Sequence, residues 1–208
     1  RMYENGFISF KDLSFKNKPI EIFERDNYIY NRADYFYEEI RKKLYTRFGK
    51  EQLFSEGLIV KTSINTNFQN IADQSLINGL INYDKRQGWR GVLGNLENKN
   101  ISLKDFFYKI KNPFPNKWFL AQVKKVSNKI LIVEDILGNN YKIDLSVKKN
   151  KWTINESFQN NDIFFVESVK NQIVIRQIPL INGAIVAIDP HTGKVLALSG
   201  GFSFNLSE

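Results

Sequence analysis

Cysteine is absent from the 208 residues, and histidine occurs once, at His191. The first absence excludes disulfides, thiolate metal sites and a cysteine nucleophile; the second excludes paired-histidine metal sites and leaves any Ser-His-Asp arrangement dependent on one side chain. Long apolar runs are missing too. Nothing approaches the roughly 18 residues a membrane-crossing helix requires, and no charged-then-apolar signal segment opens the chain. Gly88, Gly91 and Gly94 lack the order of a phosphate-binding loop, so the residues imply no nucleotide cofactor, and no other cofactor either. What is present is a globular composition, 42% hydrophobic with 17 Phe, 9 Tyr and 3 Trp. A chain of this size buries about 70% of its unfolded surface. The net charge of +8 suits a polyanionic partner such as nucleic acid, an acidic membrane surface or an anionic wall polymer. An Asn-, Ile- and Lys-rich composition accounts for it equally, because the cations are spread as pairs (Lys42-Lys43, Lys124-Lys125, Lys148-Lys149) rather than gathered.

Periodicity divides the chain. A capping-box-like start at Ser9 to Asp12 opens a short helix. From Asp34 the spacing of Tyr35, Phe36, Ile40, Leu44 and Phe48 is helical, with Gly49 as a stop. Leu58-Ile59-Val60, Thr62 and Ile64 read as a strand leaving Gly57. Thr66 caps a second helix in which Phe68, Ile71, Ala72, Ser75, Leu76, Leu80 and Tyr83 share a face, ending before Gly88. Composition turns polar after Gly94, and a short helix at Ser102 to Ile110 precedes Pro113 and Pro115. Five β-rich runs follow: Trp118 to Val126, Lys129 to Ile136, Tyr141 to Leu145, Ile163 to Val169 and Gln172 to Ile178. Tight turns at Ser127-Asn128, Gly138-Asn139 and Lys170-Asn171 make three strands a meander and two a hairpin, separated by a polar link from Ser146 to Asp162. That count fits a small five-stranded barrel of the OB type, and an SH3-like barrel nearly as well. Ala184 to Asp189 and Lys194 to Gly200 then flank a turn in which Pro190 presets φ and Gly193 supplies a positive φ. These two strands are apolar on both faces and call for a covering sheet. The fold class expected is α+β.

Active-site words occur but fail on context. Ser146-Val147-Lys148-Lys149 matches S-x-x-K, yet an acylating serine belongs at a buried helix start and Ser146 lies in a lysine-rich link. Ser63-Ile64-Asn65 and Lys61-Thr62-Ser63 overlap on one strand, whereas the corresponding words of that chemistry come from separate elements. Glu38-Glu39 and Glu134-Asp135 are neighbours in sequence, which points their side chains apart. His191 sits at a turn tip. The residues therefore supply no catalytic group and no metal site. Trp118, Phe119, Tyr141, Trp152, Phe164 and Phe165 among lysines could stack single-stranded nucleic acid, or fill the interior of a small barrel.

The run GAIVAIDPHTGKVLALSGGFSF from Gly183 to Phe204 resembles the strand pair that opens the transpeptidase domain of class A penicillin-binding proteins, the bifunctional peptidoglycan synthases. DYFYEEIRKKL from Asp34, EGLIVKTSI from Glu56 and QNIA from Gln69 are similar to the linker that follows their glycosyltransferase domain, and Arg1 to Ile8 to that domain's tail. One departure is Ser63-Ile64-Asn65, where the family has Thr, a hydrophobic residue and Asp. The resemblance implies residues 1–33 as glycosyltransferase tail and linker, 34–99 as linker packing on the transpeptidase domain, 100–178 as the OB-like insertion of the 1A type, and 179–208 as the first transpeptidase strands. It implies a piece of a longer protein whose catalytic residues lie outside this stretch, held at the periplasmic face of the inner membrane by a helix also outside it. The expected partners are the rest of the polypeptide and an activator protein or glycan strand, met by exposed rings and cations at Trp118, Lys124, Tyr141, Trp152 and Arg176. A nucleic-acid-binding OB module and a purely structural spacer are the competing readings.

Overall fold

The computed structural model describes residues 3–7, 9, 33–55, 57–97, 101–114 and 116–207. Two compact units are present, Arg1–Asn31 and Arg32–Glu208. In the first, Tyr3 to Phe7 form a turn in which the Gly6 N–H donates to the Tyr3 carbonyl at 3.0 Å; the helix expected from Ser9 lies outside the described residues. All the described helices and strands lie in the second unit.

Helix α1, Asp34–Ser55, does not stop at Gly49 but kinks there, with φ 78° and ψ 176°, and resumes. Its N-terminal part is held by Phe36, which is buried, and by Tyr35, which packs edge-on against Phe204 at 5.2 Å. The Tyr35 ring lies so close to the main chain that a Cβ on Gly200 would fall 2.8 Å from it. The strand expected from Leu58 to Ile64 does not form, and residues 57–65 enter no ladder. Only their end, at Ser63 and Asn65, reaches a sheet; Ile59 is 92% exposed.

Helix α2, Thr66–Gln87, is capped by Asn65 rather than by Thr66: Asn65 Oδ1 accepts from the N–H groups of Asn67 and Phe68 at 3.0 and 3.2 Å. Asn65 thus satisfies two orphan donors. Gln69, Ala72, Leu76, Leu80 and Asp84 point inward at three- and four-residue spacing. Phe68, Ile71 and Tyr83, expected on that face, are exposed. Counting apolar residues rotated the predicted stripe, because two of the buried positions are polar.

Strand β1, Gly94–Asn95, was not foreseen. Helix α3, Leu103–Lys109, opens on a capping box, Ser102 with Asp105. Strands β2 (Trp118–Ser127), β3 (Ile130–Glu134), β4 (Asn140–Asp144), β5 (Asp162–Val169) and β6 (Gln172–Arg176) follow the expected runs closely. All pairings are antiparallel, in the order β1-β5-β2-β3-β4, with β6 also on β5. The fold is α+β, with a six-stranded sheet in place of five strands. Lys170 and Asn171, both at positive φ, make the two-residue turn between β5 and β6, as a primed turn requires. The sheet curls until β4 and β6 touch. No ladder joins them among the described residues; the gap is spanned by Asn150 at the start of a 3-10 turn, Lys151–Thr153.

Inside the curl lies one core, with Ala121, Val123, Leu131, Val133, Ile143, Phe164, Val166 and Ile175 stoppered by Trp89 and Trp152. Outside it lies a second, where Trp118, Leu120, Ile163 and Phe165 meet Leu76 and Leu80 of α2 and Phe202. Strand β2 as far as Val123 and strand β5 as far as Val166 are therefore buried on both faces. Strands β7 (Ile185–Ile188) and β8 (Val195–Ser199) form the final hairpin, followed by α4, Phe204–Ser207.

Candidate functional site

The five residues singled out in the sequence separate into two groups. Trp118 is 2% exposed, wedged among Phe114, Phe165 and Phe202. It is a core residue, which corrects the expectation of an exposed contact: it opens a strand whose outward face is covered by α2. Arg176 lies over the Trp118 ring at 5.9 Å and is committed to Glu167, its Nε donating to Oε2 at 2.7 Å and its Nη2 at 2.6 Å. Trp152 packs on Trp89 at 5.4 Å beneath the Lys85 ammonium, and its Nε1 is buried with no hydrogen-bond partner among the described residues. These three form a seam between α2 and the sheet.

Lys85 completes that seam. Its Nζ donates to the Lys149 carbonyl at 3.3 Å. Burial, then the Arg176 charge, pushes it down to about 8, with Glu167 opposing and Lys149 adding to the shift. The folded state therefore sheds this proton before the unfolded state does. Between about 8 and the ordinary lysine value the unfolded chain binds the extra proton, so stability rises with pH across that window. Chemical denaturation at pH 7.5, 8.5 and 9.5 should show the rise, and Lys85→Met should flatten it; identical slopes for the two would refute the assignment.

Lys124 and Tyr141 belong to the other group, on β2, β3 and β4. Tyr141 donates its hydroxyl to Asp135 Oδ2 at 2.9 Å and stacks on Phe119 at 5.3 Å. Asp135 also accepts from the N–H groups of Leu137 and Asn139 and from Asn139 Nδ2. Burial alone would raise this carboxyl, but the Asn139, Tyr141 and Leu137 hydrogen bonds outweigh it and hold it below its usual range. Tyr141 is thus a strut of the 135–139 loop. Lys124 sits in a bulge of β2 and pairs with Glu134 at 3.2 Å.

Register identifies the outward row that sequence reasoning did not reach. Val126, Leu131 and Ile143 are directly paired, with Leu131 and Ile143 in the inner core. The adjacent row of Lys125, Ile132 and Lys142 must then face out, and both lysines are exposed. The next, Ser127, Ile130 and Asp144, does likewise, and Ile130 and Ile132 are half-buried. Lys125 and Lys142 have no ion-pair partner among the described residues. This face carries Lys124, Lys125, Lys129 and Lys142 against Glu134 and Asp144. Both acids are engaged, Glu134 by Lys124 and Asp144 by Ser146.

The hydroxyls that match active-site words have structural employment. Ser146 Oγ donates to Asp144 at 2.6 Å and Ser63 Oγ to the Val195 carbonyl at 2.7 Å. Together with the Asn65 N–H on the Leu196 carbonyl at 2.8 Å, Ser63 ties the extended segment to the outer edge of β8. Asp189 accepts from the His191 N–H and from Thr192, fixing the hairpin tip with Gly193 at φ 68°. No group of acids and histidine suited to a metal ion occurs among the described residues, and no described helix is long and apolar enough to cross a membrane.

No protein-family model matches the chain. Penicillin-binding protein 1A of Rickettsia prowazekii is 32% identical over the whole chain, which covers 27% of that protein. The Haemophilus influenzae protein of the same name is 28% identical over the whole chain, covering 25% of it. The 2.6 Å crystal structure of penicillin-binding protein 1A from Haemophilus influenzae superposes with a TM-score of 0.74 at 26% identity, over 99% of this chain and 31% of that one. An end-to-end match of this kind, carried by the same α2–sheet–hairpin arrangement, places the chain among the class A penicillin-binding proteins. It belongs to the penicillin-binding protein 1A family and spans about a quarter of the length of the curated relatives it matches.

Proposed function

We propose that this chain is the region of a bifunctional peptidoglycan synthase that joins the glycan-polymerising and peptide-crosslinking domains, and that its curled sheet, an OB-type barrel, presents a docking face to a protein partner. On this reading the whole protein polymerises lipid-linked disaccharide units and crosslinks stem peptides through an acyl-serine. Its catalytic groups lie outside these residues, and it works at the periplasmic face of the inner membrane. The observation that carries the docking part is the open face of β2, β3 and β4. Two half-buried isoleucines, Ile130 and Ile132, lie among Lys124, Lys125, Lys129 and Lys142, on the outward side of the sheet whose other end, at Trp118 and Leu120, is covered by α2. Apolar area ringed by cations fits an acidic protein surface with an apolar centre. The nucleic-acid reading loses its support, because Trp118, Phe164 and Phe165 are core residues that offer no stacking platform.

The test uses the whole synthase in cells, with a photo-reactive phenylalanine in place of Ile132. A dominant protein adduct is expected. The double charge reversal Lys125→Glu and Lys142→Glu should reduce it about tenfold or more, since each exposed pair contributes up to about 1 kcal/mol. Polymerisation and crosslinking without the partner should persist. Adducts to glycan, or a protein adduct indifferent to the reversal, would leave the sheet a spacer.

A further inference from the structure

We infer that the curled sheet, α2 and the β7–β8 hairpin move as one body, locked at the neck by Asp84, so that a displacement of the sheet is delivered to the hairpin through α2. The inference concerns mechanics and stands whether or not a partner docks on the outer face.

The chain enters the sheet through residues 88–93 and leaves it through 177–181, and both passages converge on the last turn of α2. There Asp84, 4% exposed, accepts from Arg90 Nη1 and from Gln177 Nε2, each at 2.7 Å, and from the Leu180 N–H at 3.3 Å. Arg90 also donates from Nη2 to the Ile178 carbonyl at 2.6 Å and from its N–H to Gln177 Oε1 at 2.9 Å. Gln177 Nε2 reaches the Gly88 carbonyl at 3.2 Å. One buried carboxylate thus fastens the incoming and outgoing segments to the helix and, through Arg90 and Gln177, to each other.

Without that lock the neck is soft. Gly88 and Gly91 have φ of 98° and 99°, and a Cβ on either would meet nothing within 4 Å. These glycines serve backbone conformation, not close packing. Trp89, between Gly88 and Arg90, enters the mouth of the curl and contacts Trp152, Phe158 and Phe164 at 5.4, 5.9 and 6.3 Å. At mid-helix, Leu76 and Leu80 pack in the outer core with Trp118, Leu120 and Phe165.

The other end of α2 is fixed as firmly. Gln69 donates to the Leu198 carbonyl and accepts from the Leu198 N–H, both at 2.9 Å. Its amide replaces the neighbouring strand that the edge of β8 would otherwise have. The path from sheet to hairpin is therefore continuous, through packed side chains and buried hydrogen bonds along one rigid element.

The lack of cysteine makes this directly measurable. Spin labels on Leu137→Cys, a site 81% exposed, and His191→Cys, at the hairpin tip, report the sheet-to-hairpin distance by pulsed electron resonance on the otherwise native 208-residue chain. A single narrow distance distribution is expected. Asp84→Ala with Gln177→Ala should broaden it by about twofold or more, as a locally loosened segment would, while a cooperative melt persists. A broad or multi-peaked distribution in the unaltered neck would overturn the inference, as would a folded double variant as narrow as its parent. Should the double variant not fold, Arg90→Lys, which keeps the charge but loses the fork, gives the same comparison.

Discussion

Replacing Asn150 with alanine is expected to destabilise the fold by about 3–5 kcal/mol, more than any other single surface-loop substitution. The residue lies in the polar link between β4 and β5, yet it is 2% exposed. Its Nδ2 donates to the carbonyls of Asp144 and Ile173 at 3.1 and 2.9 Å, and its Oδ1 accepts from the Ile175 N–H at 2.9 Å. These are main-chain groups at the end of β4 and along β6, where the curled sheet would need a ladder to close and has none. Alanine orphans two carbonyls and one N–H, each costing about 1–3 kcal/mol when buried. Aspartate tests the geometry more sharply. It keeps the acceptor for Ile175 but sets an anion against two carbonyl oxygens, so Asn150→Asp should be at least as damaging as alanine at neutral pH. Urea titrations should show the midpoint falling with an unchanged slope. A loss below about 1 kcal/mol would mean that water satisfies all three groups and that the amide closes nothing.

Asn150 also shows where sequence reasoning stops. Strand positions in the sheet were legible because period-2 alternation and positive-φ turn residues such as Lys170-Asn171 are local signals, and the five runs expected there formed within two residues of their predicted ends, whereas the strand expected from Leu58 to Ile64 did not form. Contacts between distant segments carry no such mark. Asn150 sits in a run of lysines and asparagines and reads as solvated. Gln69 and Asp84 interrupt the apolar stripe of α2 and turned the predicted face toward Phe68 and Ile71. In each case a polar side chain is buried because it satisfies polar groups of a segment far along the chain, which no local pattern encodes. The same limit misplaced the contact residues. An aromatic and a cation on one sheet look like a binding surface until α2 is laid over them, as it is over Trp118 and Arg176. The free face is defined only by register, through the Lys125, Ile132 and Lys142 row. The hairpin was better served. Its turn signals at Pro190 and Gly193 are local, and the two apolar runs formed Ile185–Ile188 and Val195–Ser199; the 58–64 segment meets it at Ser63, with Asn65 beside it, although Leu58 to Val60 remain uncovered.

Excising the sheet should unfold what is left. The Arg90 N–H lies 2.9 Å from Gln177 Oε1, so removing Gly91 to Arg176 and joining Arg90 to Gln177 demands little of the backbone, and the excision looks like a clean test of what the sheet contributes. The outer core argues otherwise. Leu76 and Leu80 of α2, with Phe202, Ile178, Ile181 and Ile185, are packed against Trp118, Leu120, Ile163 and Phe165, and excision strips one wall from that cluster. Truncating a single buried leucine costs about 2–5 kcal/mol. Uncovering several at once exceeds the 5–15 kcal/mol that holds a typical domain together. Asp84 would lose Gln177 as well if the joined strand could not resume its path. The shortened chain should therefore bind a hydrophobic dye, associate, and melt without a cooperative transition, while the Lys125→Glu and Lys142→Glu chain melts as the parent does. A monomeric shortened chain whose α2 amides exchange as slowly as in the parent would show that the sheet is an autonomous insert. In that case the outer core contributes little, and excision could separate docking from spacing after all. With the expected outcome, only substitutions on the outer face can make that separation, because β2, which presents Lys125 outward, also keeps α2 covered.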